Sequence, residues 1–126
     1  WGYNNRGQLG NNSFENTNTA VSVSGITRAV AIGAGQVHTC AVLGSGEVQC
    51  WGYNNHGQLG NGGSTLWPTP VAVAGLTDAT AVFGSEASSC ALRRSGEVSC
   101  WGDNTYGQLG DGTTDDHRNP ISVSGL

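Results

Sequence analysis

The chain contains no lysine and no methionine, and it carries few charged side chains of either sign. Charged residues make up 11% of its 126 residues, and the net charge is −4 at pH 7. A nucleic-acid partner would require clustered basic side chains to displace counterions from the phosphates, so this composition argues against one. No apolar run approaches the roughly 20 residues of a membrane-spanning helix, so we expect no membrane span.

Long amphipathic helices are also missing from the pattern of apolar residues. Twenty-one glycines separate short runs of valine and alanine, and four tryptophans recur between them. This alternation is typical of turn-rich β structure rather than of helices or disorder. Because the sequence has no methionine, we expect the chain to be a processed product or a fragment.

A period of 50 residues organises the whole sequence. The motif that begins at Trp1 returns at Trp51 and at Trp101, and seven of its ten positions are identical in the three copies. The shared positions are Trp, Gly, Asn and a final Gly-Gln-Leu-Gly run. Each period also contains four short strand-like runs, which one period illustrates with residues 71–74, 79–82, 89–92 and 97–100.

Four strands in a repeat of this length are typical of a β-propeller blade. We therefore predict an all-β chain of about two and a half 50-residue repeats, a partial propeller whose blades have four antiparallel strands. Residues 1–126 form one repeat region in this interpretation. It divides into a partial blade at 1–26 and two blades at 27–76 and 77–126.

The four cysteines occupy matching positions on a predicted hairpin. Gly44-Ser45-Gly46 and Arg94-Ser95-Gly96 each place a glycine third in a three-residue loop, where a left-handed backbone is required. Pairing across these loops sets Cys40 opposite Cys50 and Cys90 opposite Cys100, so we predict these two disulfides. Zinc ligation would need closer spacing within each pair, so we predict no metal there. Oxidised pairs favour a secreted or cell-surface protein.

The runs His38-Thr39-Cys40-Ala41-Val42-Leu43 and Gly46 to Gly52, followed by Asn54 and Gly57 to Gly60, resemble the repeat of the regulator of chromosome condensation family. The paired cysteines are most similar to its secreted bacterial members. The resemblance implies a propeller of seven blades that serves as a protein-binding platform. Seven blades at this period would need about 350 residues, so we expect this chain to be a segment of a longer propeller, with an open repeat assembly as the alternative.

Several residues that could act as catalytic or ligand-binding groups also fit structural roles. The resemblance implies a structural hydrogen-bonding role for His38, which is Ser88 in the next copy. Trp1, Trp51 and Trp101 are expected to fill the wedges between blades. The asparagines at 4, 54 and 104 are expected to form turns bonded from side chain to backbone. The acidic segment Asp111–Asp116 could bind calcium, but it lacks regular ligand spacing, and a solvated turn is favoured.

Positions that vary within the constant frame are the candidates for partner binding. Arg6, His56 and Tyr106 occupy one equivalent place, and Trp67 stands in a variable segment that we expect to be a loop before Pro68. A fixed scaffold with changing loops is typical of a recognition surface, and aromatic residues dominate binding hot spots. These four residues are the predicted protein-binding site.

These observations favour a non-enzymatic module that presents variable loops to a protein partner, without a cofactor. Self-association of copies through exposed edge strands, as a structural or surface element, is the alternative. A propeller hydrolase or lyase is a third hypothesis, which lacks a paired acid–base or nucleophile motif.

Overall fold

The computed structural model describes residues 1–126 and contains β-strands, turns and no helix. Eight strands form two antiparallel sheets of four, in the order β1-β2-β3-β4 and β5-β6-β7-β8. This confirms the all-β fold with four-stranded blades of a partial propeller. The strands are β1 Ala29–Ala34, β2 His38–Leu43, β3 Val48–Gly52, β4 Trp67–Ala72, β5 Ala79–Gly84, β6 Ser88–Arg93, β7 Val98–Gly102 and β8 His117–Ser122.

The central hairpin of each sheet has the register that its loop length predicts. Cys40 pairs with Cys50 and Cys90 with Cys100, and both pairs are disulfide-bonded. Gly46 and Gly96 close the loops at φ 91°, a left-handed conformation that glycine adopts without a Cβ clash. The two predicted disulfides are therefore confirmed, and each lies within one sheet.

The fourth strand of each sheet begins earlier than the sequence predicts. β4 starts at Trp67, so Trp67 lies at the beginning of a strand and not in a loop. Pro68 and Pro70 made this segment look like a loop, because proline cannot donate to a ladder. An outer strand tolerates proline, and here the prolines fall where the β3–β4 register shifts.

Residues 1–26 precede the first sheet and contain only one isolated bridge, between Gly2 and Thr17. Their turns nevertheless repeat those of the later copies. Ser24 N donates to Gly10 O at 2.8 Å, as Ala74 N does to Gly60 O at 2.9 Å. The segment therefore holds the same loop conformation without a sheet of its own.

Consecutive copies pack through the constant tryptophans. Trp51 and Trp101 are 1% and 0% exposed, and their Nε1 atoms donate to the carbonyls of Gln8 and Gln58 at 2.9 Å. We call the contacts of residues 4–12 with residues 51–68 the first seam. The contacts of residues 54–62 with residues 101–118 are the second seam.

Trp1 does not share this environment, and the expectation that it fills a wedge is wrong for this chain. Its side chain is 78% exposed. The loop that covers each of the two buried tryptophans lies 43 residues earlier in sequence, at Gln8 for Trp51 and at Gln58 for Trp101. The chain forms no helix of the length and apolarity that a membrane crossing requires.

Candidate binding surface

Each constant asparagine holds a long loop in place from the inside. Asn54 is fully buried, and its Nδ2 donates to the carbonyls of Gly63 at 3.2 Å and Thr65 at 3.0 Å. Its Oδ1 accepts from Leu59 N at 3.0 Å. Asn4 makes the three equivalent bonds in its own copy, and Asn104 makes two of them, to Thr113 O and Leu109 N. The predicted side-chain-to-backbone turn is confirmed, and we call it the asparagine clamp.

The asparagine clamp fixes the path of the loop without depending on most of its side chains. In the first two copies Nδ2 reaches two backbone carbonyls of the loop, which every residue type provides. The loop side chains can therefore change while the backbone stays in place, as they do between copies. We call the three clamped segments, residues 13–17, 63–67 and 113–117, the variable-loop face.

Backbone hydrogen bonds join the clamped loops into one continuous surface. Asn12 N donates to Pro68 O at 3.0 Å, and Gly62 N donates to Arg118 O at 2.9 Å. Gly7 and Gly57 lie so close to Pro68 and Arg118 that a Cβ would collide with them. Each loop thus abuts the start of the outer strand in the next copy, and the three loops follow one another along one side.

The four candidate binding residues differ in how accessible they are. Trp67 is 40% exposed and Tyr106 is 89% exposed, so both remain available to a partner. Phe14 is 51% exposed and belongs to the variable segment 13–17, which the sequence marks as part of a recognition surface without singling out this residue. Its place in the first variable loop was the signal that could have identified it.

Arg6 is exposed and His56 is half-buried, and the side chains of both contact the next copy. The Arg6 guanidinium lies 4.7 Å from the centre of the Tyr53 ring in the first seam. His56 Nδ1 lies 2.8 Å from Asp116 Oδ2 and 3.8 Å from Asp103 Oδ1 in the second seam. A hydrogen bond from the Thr105 side chain lowers the pKa of Asp103. The change from Tyr53 to Asp103 accompanies the change from Arg6 to His56, which is a signal of contact.

His38 is enclosed between the sheets and has a structural environment. Its Nε2 lies 2.8 Å from Ser89 Oγ, which itself donates to Gln58 O at 2.9 Å. Since that hydroxyl proton is already used, Nε2 is the donor in the bond with Ser89. Burial lowers the pKa of His38 to about 4, so the ring is neutral at pH 7.

The acidic segment does not gather its carboxylates into a calcium loop. Asp111 accepts from Thr113 N at 2.9 Å and contacts His117 Nε2 at 2.8 Å. Hydrogen bonds from Thr113 lower the pKa of Asp111 to about 2. Asp116 Oδ1 accepts instead from Asn104 N at 2.9 Å. The segment is a hydrogen-bonded turn, and its aspartates do not converge on one point.

Comparison with known proteins identifies the repeat. A family model described as the regulator of chromosome condensation (RCC1) repeat matches residues 1–42, 45–92 and 95–126. A second model with the same description matches residues 29–58 and 80–108. No curated protein matches the chain.

Solved structures share the fold at low sequence identity. Human WBSCR16 superposes with a TM-score of 0.81 at 23% identity, covering 97% of this chain and 34% of that one. Yeast RCC1 (Prp20) bound to Kap60 gives 0.81 at 19%, covering 98% and 32%. Prp20p from Saccharomyces cerevisiae, studied for binding to Gsp1p and histones, gives 0.80 at 19%, covering 98% and 33%. The chain spans about a third of the length of these structures.

Proposed function

Because the chain belongs to the regulator of chromosome condensation (RCC1) repeat family, we propose that it is a non-enzymatic interaction module whose variable-loop face binds a protein partner. The observation that carries this proposal is the asparagine clamp. It holds the loops mainly by their backbone and leaves their side chains free to differ. A rigid surface with interchangeable side chains binds with little loss of conformational entropy.

Two aromatic side chains of this face, together with Tyr106 in the turn that precedes its third loop in sequence, are the expected anchors. Phe14, Trp67 and Tyr106 come from three successive copies and are all exposed. Aromatic residues contribute most to binding hot spots because they bury a large area with few rotatable bonds. Protein partners are also described for the similar yeast RCC1 (Prp20), namely Kap60, Gsp1p and histones. This supports a protein ligand rather than a small molecule.

The proposal includes an oxidising, extracytoplasmic location. All four cysteines are in disulfides, and both bonds lie within central hairpins. Thiols of cytosolic proteins are normally kept reduced, whereas secreted proteins retain such bonds. The proposal also includes the absence of enzymatic activity. This is in keeping with a chain that has no free thiol nucleophile and whose His38 is buried.

Self-association through edge strands is the less favoured function. Two of the four edge strands, β4 and β8, contain Pro68, Pro70 and Pro120, which supply no N–H to an added strand. Measurement of mass in solution over a range of concentrations distinguishes the two functions. A monomer at all concentrations supports partner binding, and stepwise growth of oligomers with concentration supports self-assembly.

Capture of proteins from an extracellular extract tests the binding surface. The immobilised chain is compared with a Phe14→Ser, Trp67→Ser, Tyr106→Ser variant and with a control carrying Val30→Ser and Phe83→Ser, which changes exposed side chains of β1 and β5. A partner retained by the chain and the control, but at least tenfold less by the triple variant, is then purified and tested for a defined complex. Equal retention by all three contradicts the assignment of the variable-loop face.

A further inference from the structure

The second seam contains a cluster of side chains whose donor atoms could hold a metal ion. His56 Nδ1 and one carboxylate oxygen from each of Asp103 and Asp116 all lie within 4.8 Å of one another. His56 belongs to the second copy of the period, and both aspartates belong to the third. We propose that these three residues bind a divalent first-row transition ion, of which Zn²⁺ is the reference, and that the ion fastens one copy to the next.

The distances suit an ion of this size. Zn²⁺ binds imidazole nitrogen and carboxylate oxygen at about 2.0–2.2 Å, which places tetrahedral ligand atoms roughly 3.4 Å apart. His56 Nδ1 lies 2.8 Å from Asp116 Oδ2 and 3.8 Å from Asp103 Oδ1, values on either side of that spacing. Small rotations of the side chains therefore admit the ion.

Neighbouring groups orient both carboxylates. Asp116 Oδ1 accepts from Asn104 N at 2.9 Å, which directs its other oxygen toward His56. Asp103 Oδ1, the oxygen that faces His56, accepts from Thr105 Oγ1 at 2.6 Å, and Asp103 Oδ2 accepts from Gln108 Nε2 at 2.8 Å. Such outer partners are typical of metal ligands, because they fix the direction of the ligating atoms.

The donor set also indicates the class of ion. One imidazole and two carboxylates favour Zn²⁺, Co²⁺ or Ni²⁺ over Ca²⁺, which prefers six to eight oxygen ligands. The three side chains are 37%, 19% and 38% exposed, so water can complete the coordination. Two carboxylate charges balance the charge of the ion.

The first seam provides an internal comparison. Its equivalent positions hold Arg6, Tyr53 and Leu66, and the first two make a cation–π contact. The two seams share their backbone hydrogen bonds and their buried tryptophan contact. Only the second seam combines a histidine with two carboxylates.

Titration of the untagged, fully oxidised chain with ZnCl₂ tests the proposal, because oxidation leaves no thiolate to compete. We expect one equivalent to bind in calorimetry and the melting temperature to rise by several degrees, since an ion that binds the folded chain stabilises it. His56→Gln should weaken binding at least tenfold. The matched control His117→Gln changes the other partly exposed histidine, which pairs with Asp111, and should bind as the unchanged chain does.

Three results would overturn the proposal. They are no Zn²⁺ binding at millimolar concentration, unchanged binding by His56→Gln, and tighter binding of Ca²⁺ than of Zn²⁺. The first of these would leave the cluster as a contact between His56 and the two aspartates that binds no ion. None of them changes the retention of a protein partner by Phe14, Trp67 and Tyr106, so the proposed function is tested separately.

A gain of binding supplies a second test. The variant R6H/Y53D/L66D places the same three residue types in the first seam. If it retains both disulfides and a cooperative melting transition, we expect it to bind a second equivalent of Zn²⁺. A folded variant that still binds one equivalent contradicts the claim that these three residues suffice.

Discussion

At the scale of single residues, the fully buried Asn54 shows how one amide can hold a loop of a dozen residues. Its two ends together satisfy one backbone N–H and two backbone carbonyls. A buried polar group that loses its partner costs about 1–3 kcal/mol. The Asn54→Ala variant should therefore lose roughly 2–4 kcal/mol of unfolding free energy in denaturant titration. Asn5→Ala, an exposed control, should change it by under about 0.5 kcal/mol.

His38 makes the free energy of unfolding depend on pH, because burial lowers the pKa of its ring to about 4 in the folded chain from 6.5 in the unfolded chain. Below pH 6.5 the unfolded chain gains a proton that the folded chain does not bind until about pH 4. The contribution of neutral His38 is thus complete above pH 6.5 and declines as the pH falls to 4, by roughly 3 kcal/mol in all. Unfolding of the chain and of His38→Gln between pH 7 and 4 checks this. Parallel curves for the two proteins would contradict it.

Residue types predicted the asparagine clamp but not the partners of Arg6 and His56. An amide followed by Gly-Gln-Leu-Gly implies a local turn, which depends on residues close in sequence. The partner of His56 is 60 residues away at Asp116, across a seam that only the folded arrangement of copies creates. Variation between copies indicates that a position is not needed for the repeat fold. It does not show whether the residue faces solvent or the next copy.

At the scale of elements, the two central hairpins can be compared directly because their loops have the same backbone. Gly46 and Gly96 both have φ of 91°, but a Cβ at Gly46 would collide with the Thr77 carbonyl, whereas the space around Gly96 is open. Gly96→Ala should cost about 1–2 kcal/mol from backbone strain alone. Gly46→Ala should lower the unfolding free energy by clearly more, because Thr77, just before β5, must also move. Equal losses in thermal unfolding would contradict this close approach.

Each disulfide closes a loop between residues ten apart in sequence. In the chain-entropy model such a short loop contributes about 2–3 kcal/mol. Cys40→Ala with Cys50→Ala should lower the unfolding free energy by that amount, and Cys90→Ala with Cys100→Ala should do so to a similar extent. Denaturant titration measures both, and intact mass without reductant shows that the remaining bond is formed. Variants as stable as the parent would limit the disulfides to a role other than stabilisation.

The length of the loops was enough to predict the central hairpins. The residue at which the fourth strand begins could not be predicted in this way, because it depends on the position of that strand in the assembled sheet. A three-residue loop ending in glycine sets the register of the strands beside it, so local sequence suffices. Pro68 and Pro70 favour a loop when only the neighbouring residues are considered, so the sequence predicted a loop where the structure has a strand. Their tolerance in β4 depends on its position at the outer edge, which is a property of the assembled sheet.

At the scale of the whole molecule, the 50-residue period predicted the architecture because each copy packs mainly against its neighbours. The number of covered faces then determines local stability. The first sheet contacts the loop that contains Gln8 on one side and β5 of the second sheet on the other, whereas Trp1 is exposed. Residues 1–26 hold their β structure by the Gly2–Thr17 bridge alone.

Hydrogen exchange should therefore be uneven along the chain. Amides of β2 and β3, which are buried and paired on both sides, should exchange only in global unfolding. Amides of residues 1–26 should exchange at a lower opening free energy. The exceptions are Asn12 N, which bonds to Pro68 O of the next copy, and Leu9 N, which bonds to Asn4 Oδ1 within its own copy. Exchange monitored by mass spectrometry at increasing denaturant resolves the two groups. Equal protection of residues 1–26 and β2 would mean that the first seam unfolds together with the first sheet as one cooperative unit.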